Sequence, residues 1–227
     1  RICNLNDNQG FYGITFDGAL APGQYGIHNP WGGHGLRVKG ATFNNFSLSA
    51  LYARGGNNPV VEDSDFNAIT GGGGEAAIRF RDAAGGKARD NRFNLAATVQ
   101  AASCVHLEYV FDCEVSGNRG TGGFFGTQIR NGSGHDIHDN WWLSPYGTGI
   151  EAGLDTGWLK IYHNRIVNPV IERGILVYTY PNGFVNDSEV IGNTIINAPL
   201  DGIYARGFRL QVSMNRVADC PITEGGG

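Results

Sequence analysis

Charged and aromatic side chains that could bind or modify a polymer recur at a similar place in successive segments of this chain. In each segment one hydrophobic residue is expected to face the core, so the residues one and three places later face outward, because side chains alternate along a strand. The first outward set reads Thr15, Tyr52, Arg79, His106, Arg130, Glu151, Leu176 and Tyr204. The second reads Asp17, Arg54, Arg81, Glu108, Gly132, Gly153, Tyr178 and Arg206. If successive segments stack about 4.8 Å apart, the two sets form two parallel columns, which together make one long outer ribbon.

The middle of this ribbon holds the groups that acid–base chemistry requires. The predicted catalytic residues are His106, Glu108, Arg130 and Glu151. In a lyase, arginines would neutralise a uronate carboxylate and so acidify the neighbouring C–H, while His106 or Tyr178 would move the proton. An epimerase would use the same groups from opposite faces of the sugar. In a hydrolase, Glu108 and Glu151 would act as acid and base about 10 Å apart. Simple ion pairs between coils, Arg81 with Glu108 and Arg130 with Glu151, are the alternative.

The remaining ribbon residues are predicted to bind substrate. They are Asp17, Tyr52, Arg54, Arg79, Arg81, Tyr178, Tyr204 and Arg206. Trp141 and Trp158 offer aromatic surfaces for a sugar ring, although packing in the core or beneath a loop is the favoured interpretation. The insertion at 18–35, with Tyr25, His28, Trp31 and His34, would form a lid over the ribbon or, as we favour, a cap on the N-terminal end of the stack.

The sequence predicts no metal site and no other cofactor. The four cysteines lack metal-binding spacing, and we expect Cys104 and Cys113 to be buried thiols. The run from His135 to Asp139 looks metal-like, but Ile137 faces inward, so only Asp136 and His138 project together. Calcium held by scattered aspartates is compatible with the composition but has no sequence signal.

An internal repeat positions all these residues. Eight segments align without gaps, from LRVKGATF at 36–43 to LQVSMNRV at 210–217. One column reads Ala41, Ser64, Asn91, Asn118, Asn140, Asn164, Asn193 and Asn215, and we expect the asparagines to hydrogen-bond from coil to coil. The mean spacing of about 25 residues is too short for βαβ units and suits a β-solenoid. The sequence therefore predicts an all-β parallel β-helix of about eight to nine coils.

Two of the segments carry a resemblance to a known family. Residues 191–195 read IGNTI and are followed by Gly202-Ile203, while residues 163–166 read HNRI and are followed by Gly174-Ile175. This pattern resembles the right-handed parallel β-helix repeats of the pectate-lyase-like superfamily, over about residues 11–217. The resemblance implies a polysaccharide lyase, glycoside hydrolase, uronate epimerase, phage tailspike or non-catalytic adhesin. The Asp-Pro-His motif of the epimerases is absent, and no lysine lies in the ribbon as it does in several lyases.

The composition argues against two classes of binding partner, nucleic acids and membranes. The net charge of −4 argues against nucleic acid, and no apolar run approaches the roughly 20 residues of a membrane span. We expect one β-helix domain over 1–227, belonging to a longer chain or capped by partner subunits, for example in a homotrimer. The expected function is an extracellular protein that binds, and cleaves or modifies, an acidic polysaccharide. The alternative is a non-catalytic tailspike or adhesion shaft.

Overall fold

The computed structural model describes residues 2–3, 7–19, 22–29, 34–71, 74–178 and 185–221. Within these ranges the secondary structure consists of 27 short strands without a helix. Each coil contributes three strands, and strands of successive coils pair in parallel. The fold is thus a parallel β-solenoid of about eight to nine coils, as predicted. The described part of the chain has no helix that is long and apolar enough to cross a membrane.

The solenoid has three faces, called A, B and C in the order in which the chain visits them. Face A consists of β1 (Ile2–Cys3), β4 (Ile27–Asn29), β7 (Leu51–Arg54), β10 (Ala76–Arg81), β13 (Ser103–Phe111), β16 (Thr127–Ser133), β19 (Ile150–Gly157), β22 (Ile175–Val177) and β25 (Ile203–Ala205). Face B consists of β2 (Gly10–Tyr12), β5 (Arg37–Lys39), β8 (Val60–Glu62), β11 (Lys87–Arg89), β14 (Glu114–Ser116), β17 (Asp136–His138), β20 (Lys160–Tyr162), β23 (Val185–Ile191) and β26 (Phe208–Ser213). Face C consists of β3 (Thr15–Asp17), β6 (Thr42–Asn44), β9 (Asp65–Asn67), β12 (Arg92–Asn94), β15 (Arg119–Thr121), β18 (Trp141–Leu143), β21 (Arg165–Val167), β24 (Thr194–Ile196) and β27 (Arg216–Ala218).

An aromatic stack fills the interior behind face C. Phe43 packs parallel to Phe66 with ring centroids 4.9 Å apart, and Phe66 lies 5.1 Å from Phe93. In the next coil the column has Gly120, where an added Cβ would lie 2.7 Å from the ring of Trp142. Glycine at this position therefore leaves the room that the indole of the following coil occupies.

The predicted asparagine column forms a hydrogen-bonded ladder at the bend between faces B and C. The backbone amide of Asn118 donates to Oδ1 of Asn140 at 3.1 Å. The side-chain amide of Asn140 donates to the carbonyl of Val115 at 2.8 Å and to Oδ1 of Asn164 at 2.9 Å. Asn140 thus satisfies two backbone groups of the preceding coil and bonds to the asparagine of the following coil, which confirms the prediction.

The interpretation of the insertion at 18–35 was wrong in one respect. Residues 27–29 form a strand of face A, paired with β7, so this segment supplies a coil rather than only a lid or cap. Trp31 lies outside the described residues. Cys104 and Cys113 are buried free thiols, as predicted, and burial raises the pKa of Cys113 to about 12.

Removal of one ladder asparagine should destabilise the protein. Asn140→Ala leaves the amide of Asn118 and the carbonyl of Val115 without their partners, and each unsatisfied buried group costs about 1–3 kcal/mol. We expect the free energy of unfolding in urea to fall by about 3 kcal/mol. The exposed Asn94→Ala in β12 is the control and should change it by less than about 0.5 kcal/mol. Equal losses in both variants would contradict the ladder's role.

Candidate functional site

The outer side of face A carries two columns of polar and aromatic side chains. In the first column the strand register aligns His28, Tyr52, Arg79, His106, Gln128, Glu151, Leu176 and Tyr204, one from each coil. In the second it aligns Arg54, Arg81, Glu108, Arg130 and Gly153. We call these two columns together the face A ribbon. Most predicted site residues therefore do share one face.

Arg130 lies in the second column, and its predicted place in the first was wrong. It pairs with Glu108 in the register, whereas Gln128 lies opposite His106. The reason is that Thr127, a polar residue, takes the core position opposite Val105 and is fully buried. The first hydrophobic residue of this strand is Ile129, two positions after Thr127, so counting from it shifted the predicted columns by two residues. Gly132 consequently lies opposite Val110 and not in the ribbon.

Asp17 was predicted to lie in the second column of the ribbon, and this prediction was wrong. It lies on β3 of face C opposite Asn44, and its carboxylate accepts a hydrogen bond from the side chain of Asn45. His28, from the insertion at 18–35, lies in the first column instead, opposite Tyr52. The rings of Tyr25, His28 and Tyr52 stack, with centroids 4.5 Å and 5.2 Å apart in succession. Thr15 likewise lies on face C.

The middle of the first column is covered, although the sequence predicted an exposed ribbon. His106 is 1% exposed, Gln128 2% and Glu151 6%. Burial lowers the pKa of His106 to about 3, and the positive charge of Arg79 acts in the same direction. Burial raises the pKa of Glu151, although the hydrogen bond from Gln128 at 3.2 Å opposes this shift. His106 is therefore neutral at physiological pH.

Ion pairs balance the arginines of the ribbon. Arg79 donates to Glu108 at 2.7 Å and to Glu75 at 3.3 Å. Arg81 lies 3.6 Å from Glu108. Although burial of Glu108 favours its neutral form, the hydrogen bond and charge of Arg79 lower the pKa of this carboxyl group overall.

The same pairing continues on both sides of this centre. Arg54 donates to Asp82 at 2.7 Å, and Arg130 lies 4.0 Å from Glu151. The ion pairs between coils that the sequence offered as an alternative are thus present. The catalytic roles of His106, Glu108, Arg130 and Glu151 stay predictions.

A cleft that the sequence interpretation missed adjoins the ribbon at the corner between faces A and B. Its volume is about 920 Å³. The aromatic residues that line it are Tyr109, Phe111 and Trp158, and the carboxylates are Asp82, Asp155 and Asp187. The three aromatic residues are 47%, 52% and 66% exposed, respectively. Packing beneath a loop, the favoured interpretation for Trp158, was therefore wrong.

Backbone bends create this cleft. Tyr109 and Asp155 have left-handed backbone conformations, with φ of 53° and 50°, within two long strands of face A. Gly132, between them in the stack, has φ of 129°, and an added Cβ there would lie 1.9 Å from the carbonyl oxygen of Val110. These bends let the strands continue past the ribbon. The sequence did carry one signal of the cleft. Hydrophobic residues continue directly after Glu108, from Tyr109 to Phe111, and they extend β13 beyond the ribbon.

The cleft and the ribbon are continuous. The guanidinium carbon of Arg81 lies 5.9 Å from the ring centroid of Tyr109, while its Nε lies 3.7 Å from Asp82. Arg81 thus links the ion pairs of the ribbon to both the aromatic and the acidic walls of the cleft. A polymer that occupied the cleft would pass beside the second column.

The side chains of the metal-like run from His135 to Asp139 point to different sides of the strand. His135 is buried, and burial lowers its pKa to about 4. Asp136 and His138 flank the buried Ile137 on the outer side, as predicted. Over the described ranges, no three His, Cys, Asp or Glu side chains group as a metal site would require.

Comparison with known proteins gives one family and several distant structures. The family model described as right handed beta helix region matches residues 25–195. The surface protein and adhesin PfbA of Streptococcus pneumoniae is 10% identical, with 95% of this chain and 76% of that chain covered and a TM-score of 0.49. The tailspike protein of E. coli bacteriophage HK620 is 13% identical, with 94% and 57% covered and a TM-score of 0.37. The A-module of the Azotobacter vinelandii mannuronan C-5 epimerase AlgE6 is 14% identical, with 85% and 56% covered and a TM-score of 0.22. No curated protein sequence matches the chain.

The buried His106 should make stability depend on pH. Its pKa is about 3 in the folded protein and 6.5 ordinarily, so below pH 6.5 the unfolded state binds a proton that the folded state does not. Stability is therefore lost as pH falls from 6.5 towards 3. Between pH 6 and pH 4 the wild type should lose on the order of 2 kcal/mol more free energy of unfolding than His106→Gln.

The measurement is urea unfolding at several pH values. The carboxylates are common to both proteins, so their contribution cancels in the difference. The exposed Asn94→Ala, which removes no titratable group, is the control and should follow the wild-type pH profile. If His106→Gln also ran parallel to the wild type, His106 would not be held neutral by burial.

Proposed function

The chain belongs to the right-handed beta helix family, and on this scaffold we propose that it binds an extended polysaccharide in the cleft beside the face A ribbon. The observation that carries the proposal is the presence of three exposed aromatic rings and three carboxylates in one cleft. Polysaccharides of this kind lie outside cells, so the proposal implies an extracellular or surface location.

The aromatic rings suit the apolar faces of sugars. Tyr109, Phe111 and Trp158 expose large apolar surfaces to solvent, and exposed apolar groups gathered in a cleft mark binding sites. Tyr and Trp also carry a polar group that can hydrogen-bond while the ring stacks. The ligand therefore needs both apolar faces and hydroxyl groups, which sugar rings combine.

The carboxylates suit sugar hydroxyls. Carboxylate oxygens accept hydrogen bonds, so Asp82 and Asp187 can accept from hydroxyl groups of a ligand in addition to the arginines that they pair with. Arg54 neutralises Asp82 in part, and Arg209 pairs with Asp187. The cleft therefore favours a hydroxyl-rich chain over one that presents carboxylates.

The length of the cleft suits a polymer. Its lining comes from six successive coils, beginning at Asn57 and ending at Asp187. At about 4.8 Å for each coil, the lining spans about 24 Å along the solenoid. Its volume of about 920 Å³ lies within the range of roughly 300–1,000 Å³ for ligand sites. Several sugar units could thus lie along the stacking direction.

Cleavage or modification of the bound glycan is a second candidate function. It is favoured by the carboxylates of the cleft, since glycoside hydrolysis uses a pair of them as acid and base. The predicted catalytic residue Glu108 directly precedes Tyr109 of the cleft. Release of reducing ends, or a rise in ultraviolet absorbance from an unsaturated product, would show turnover and distinguish an enzyme from a binding protein.

Loss of one cleft ring should weaken glycan binding. A glycan array identifies the polysaccharide that binds best, and titration calorimetry then measures its affinity for the variants. We expect Trp158→Ala to bind at least about tenfold more weakly, because buried aromatic contacts dominate such interfaces.

The control is Tyr12→Ala on face B, where Tyr12 is 60% exposed and lies outside the cleft lining. This variant should bind as the wild type does. Equal affinity of Trp158→Ala and Tyr12→Ala would refute the proposal, as would an array on which the wild type binds no glycan.

A further inference from the structure

Face C carries a row of arginines that neither the ribbon nor the cleft uses. The register of its last five strands places the following side chains one above another, in order: Arg119, Trp141, Arg165, Thr194 and Arg216. Arginine therefore occurs on every second rung. At about 4.8 Å for each rung, successive arginines of this row are about 9.6 Å apart. We call these five residues the arginine row.

The three cations of the row have no acidic partner. Among the residues that the structure describes, no carboxylate lies within 4.0 Å of Arg119, Arg165 or Arg216, and all three are exposed. Arg92 in the same column differs, because it forms two hydrogen bonds to Asp65, at 2.5 Å and 2.9 Å. The ribbon arginines of face A are likewise paired. The row is thus a place where positive charge is available to a ligand.

Trp141 holds two of these cations in place. The guanidinium carbon of Arg119 lies 5.9 Å from its ring centroid, and that of Arg165 lies 5.7 Å away on the next rung. Such cation–π contacts limit the freedom of the arginines before a ligand arrives. Trp141 itself is 41% exposed, so part of its indole remains open to solvent beside the two cations.

The surroundings of the row do not cancel its charge. The second outward column of face C from β12 onward has no acid and reads Asn94, Thr121, Leu143, Val167, Ile196 and Ala218. The whole chain has a net charge of −4, so three unpaired arginines on one flat face form a local exception.

We propose that the arginine row binds a linear acidic polysaccharide that carries a charged group on every second sugar. Guanidinium groups pair with carboxylates or sulfates in bidentate fashion, and the exposed part of the indole between two of them would contact the uncharged sugar. Nucleic acid fits less well, since one strand carries a charge every 3.4 Å, about three times as often as the row offers a cation. The surface is separate from the cleft, so either site can fail without the other.

Hyaluronan, with one carboxylate for each disaccharide, is the probe that tests this spacing. We expect Arg119→Gln and Arg165→Gln each to weaken hyaluronan binding about tenfold, because each removes a charge-assisted contact. Trp141→Ala should weaken it as well. Higher salt should reduce the affinity of the wild type and have a smaller effect on the double arginine variant.

The column itself offers a matched control. The double variant Asp65→Asn with Arg92→Gln removes one neutral ion pair from the same face and should leave hyaluronan affinity within about twofold. Trp158→Ala in the cleft should also leave it unchanged, which separates this inference from the proposed function. Unchanged affinity in the double variant of Arg119 and Arg165 would overturn the proposal. So would equal binding of uncharged dextran, or tighter binding of a thymidine oligonucleotide.

Discussion

Parallel hydrogen bonding between successive coils is the constraint from which the rest of this structure follows. It places residues that are 22 to 29 positions apart in the chain, such as Asn118 and Asn140 or Asn164 and Asn193, in direct contact. Inside the solenoid this spacing stacks the phenylalanine rings and connects the asparagine amides. Because those inner columns fix the register, the outer columns of each face are fixed as well, and the face A ribbon and the arginine row consist of residues of these outer columns.

The same rung spacing has opposite electrostatic effects on two faces. On face A, arginines and carboxylates fall on adjacent rungs, so Arg79 and Glu108 neutralise each other at 2.7 Å. On face C, arginines fall on alternate rungs with Trp141 between two of them, which keeps their charges separate and open. Of these two faces, face A carries its arginines in ion pairs, while the row of arginines on face C has no carboxylate within 4.0 Å among the described residues. We infer two surfaces with different preferences, a cleft for hydroxyl-rich sugars and a row for acidic ones.

Site residues could be predicted from the sequence where they lie at a constant spacing after a hydrophobic core residue, and not elsewhere. Tyr52, Arg79, Arg81 and Glu108 follow a hydrophobic core residue at constant spacing, so alternation alone placed them on one face. Arg130 escaped this rule because buried Thr127 takes a core position that hydrophobicity does not mark. Asp17 was misplaced because both 13–14 and 26–27 read Gly-Ile, and only the 24-residue interval from Ile27 to Leu51 agrees with the usual coil length.

By itself the sequence determined the coil, its length, the inward aromatic column and the asparagine ladder, because a repeat with alternating side chains is visible in linear order. Only the tertiary structure decided which outward residues meet solvent. The burial of His106 and Glu151, and the cleft around Trp158 with its lining from several coils and its left-handed bends, are not visible in any single segment. The pairing of each arginine was decided there too, since the partner of a charge depends on the register between coils and not on its neighbours along the chain.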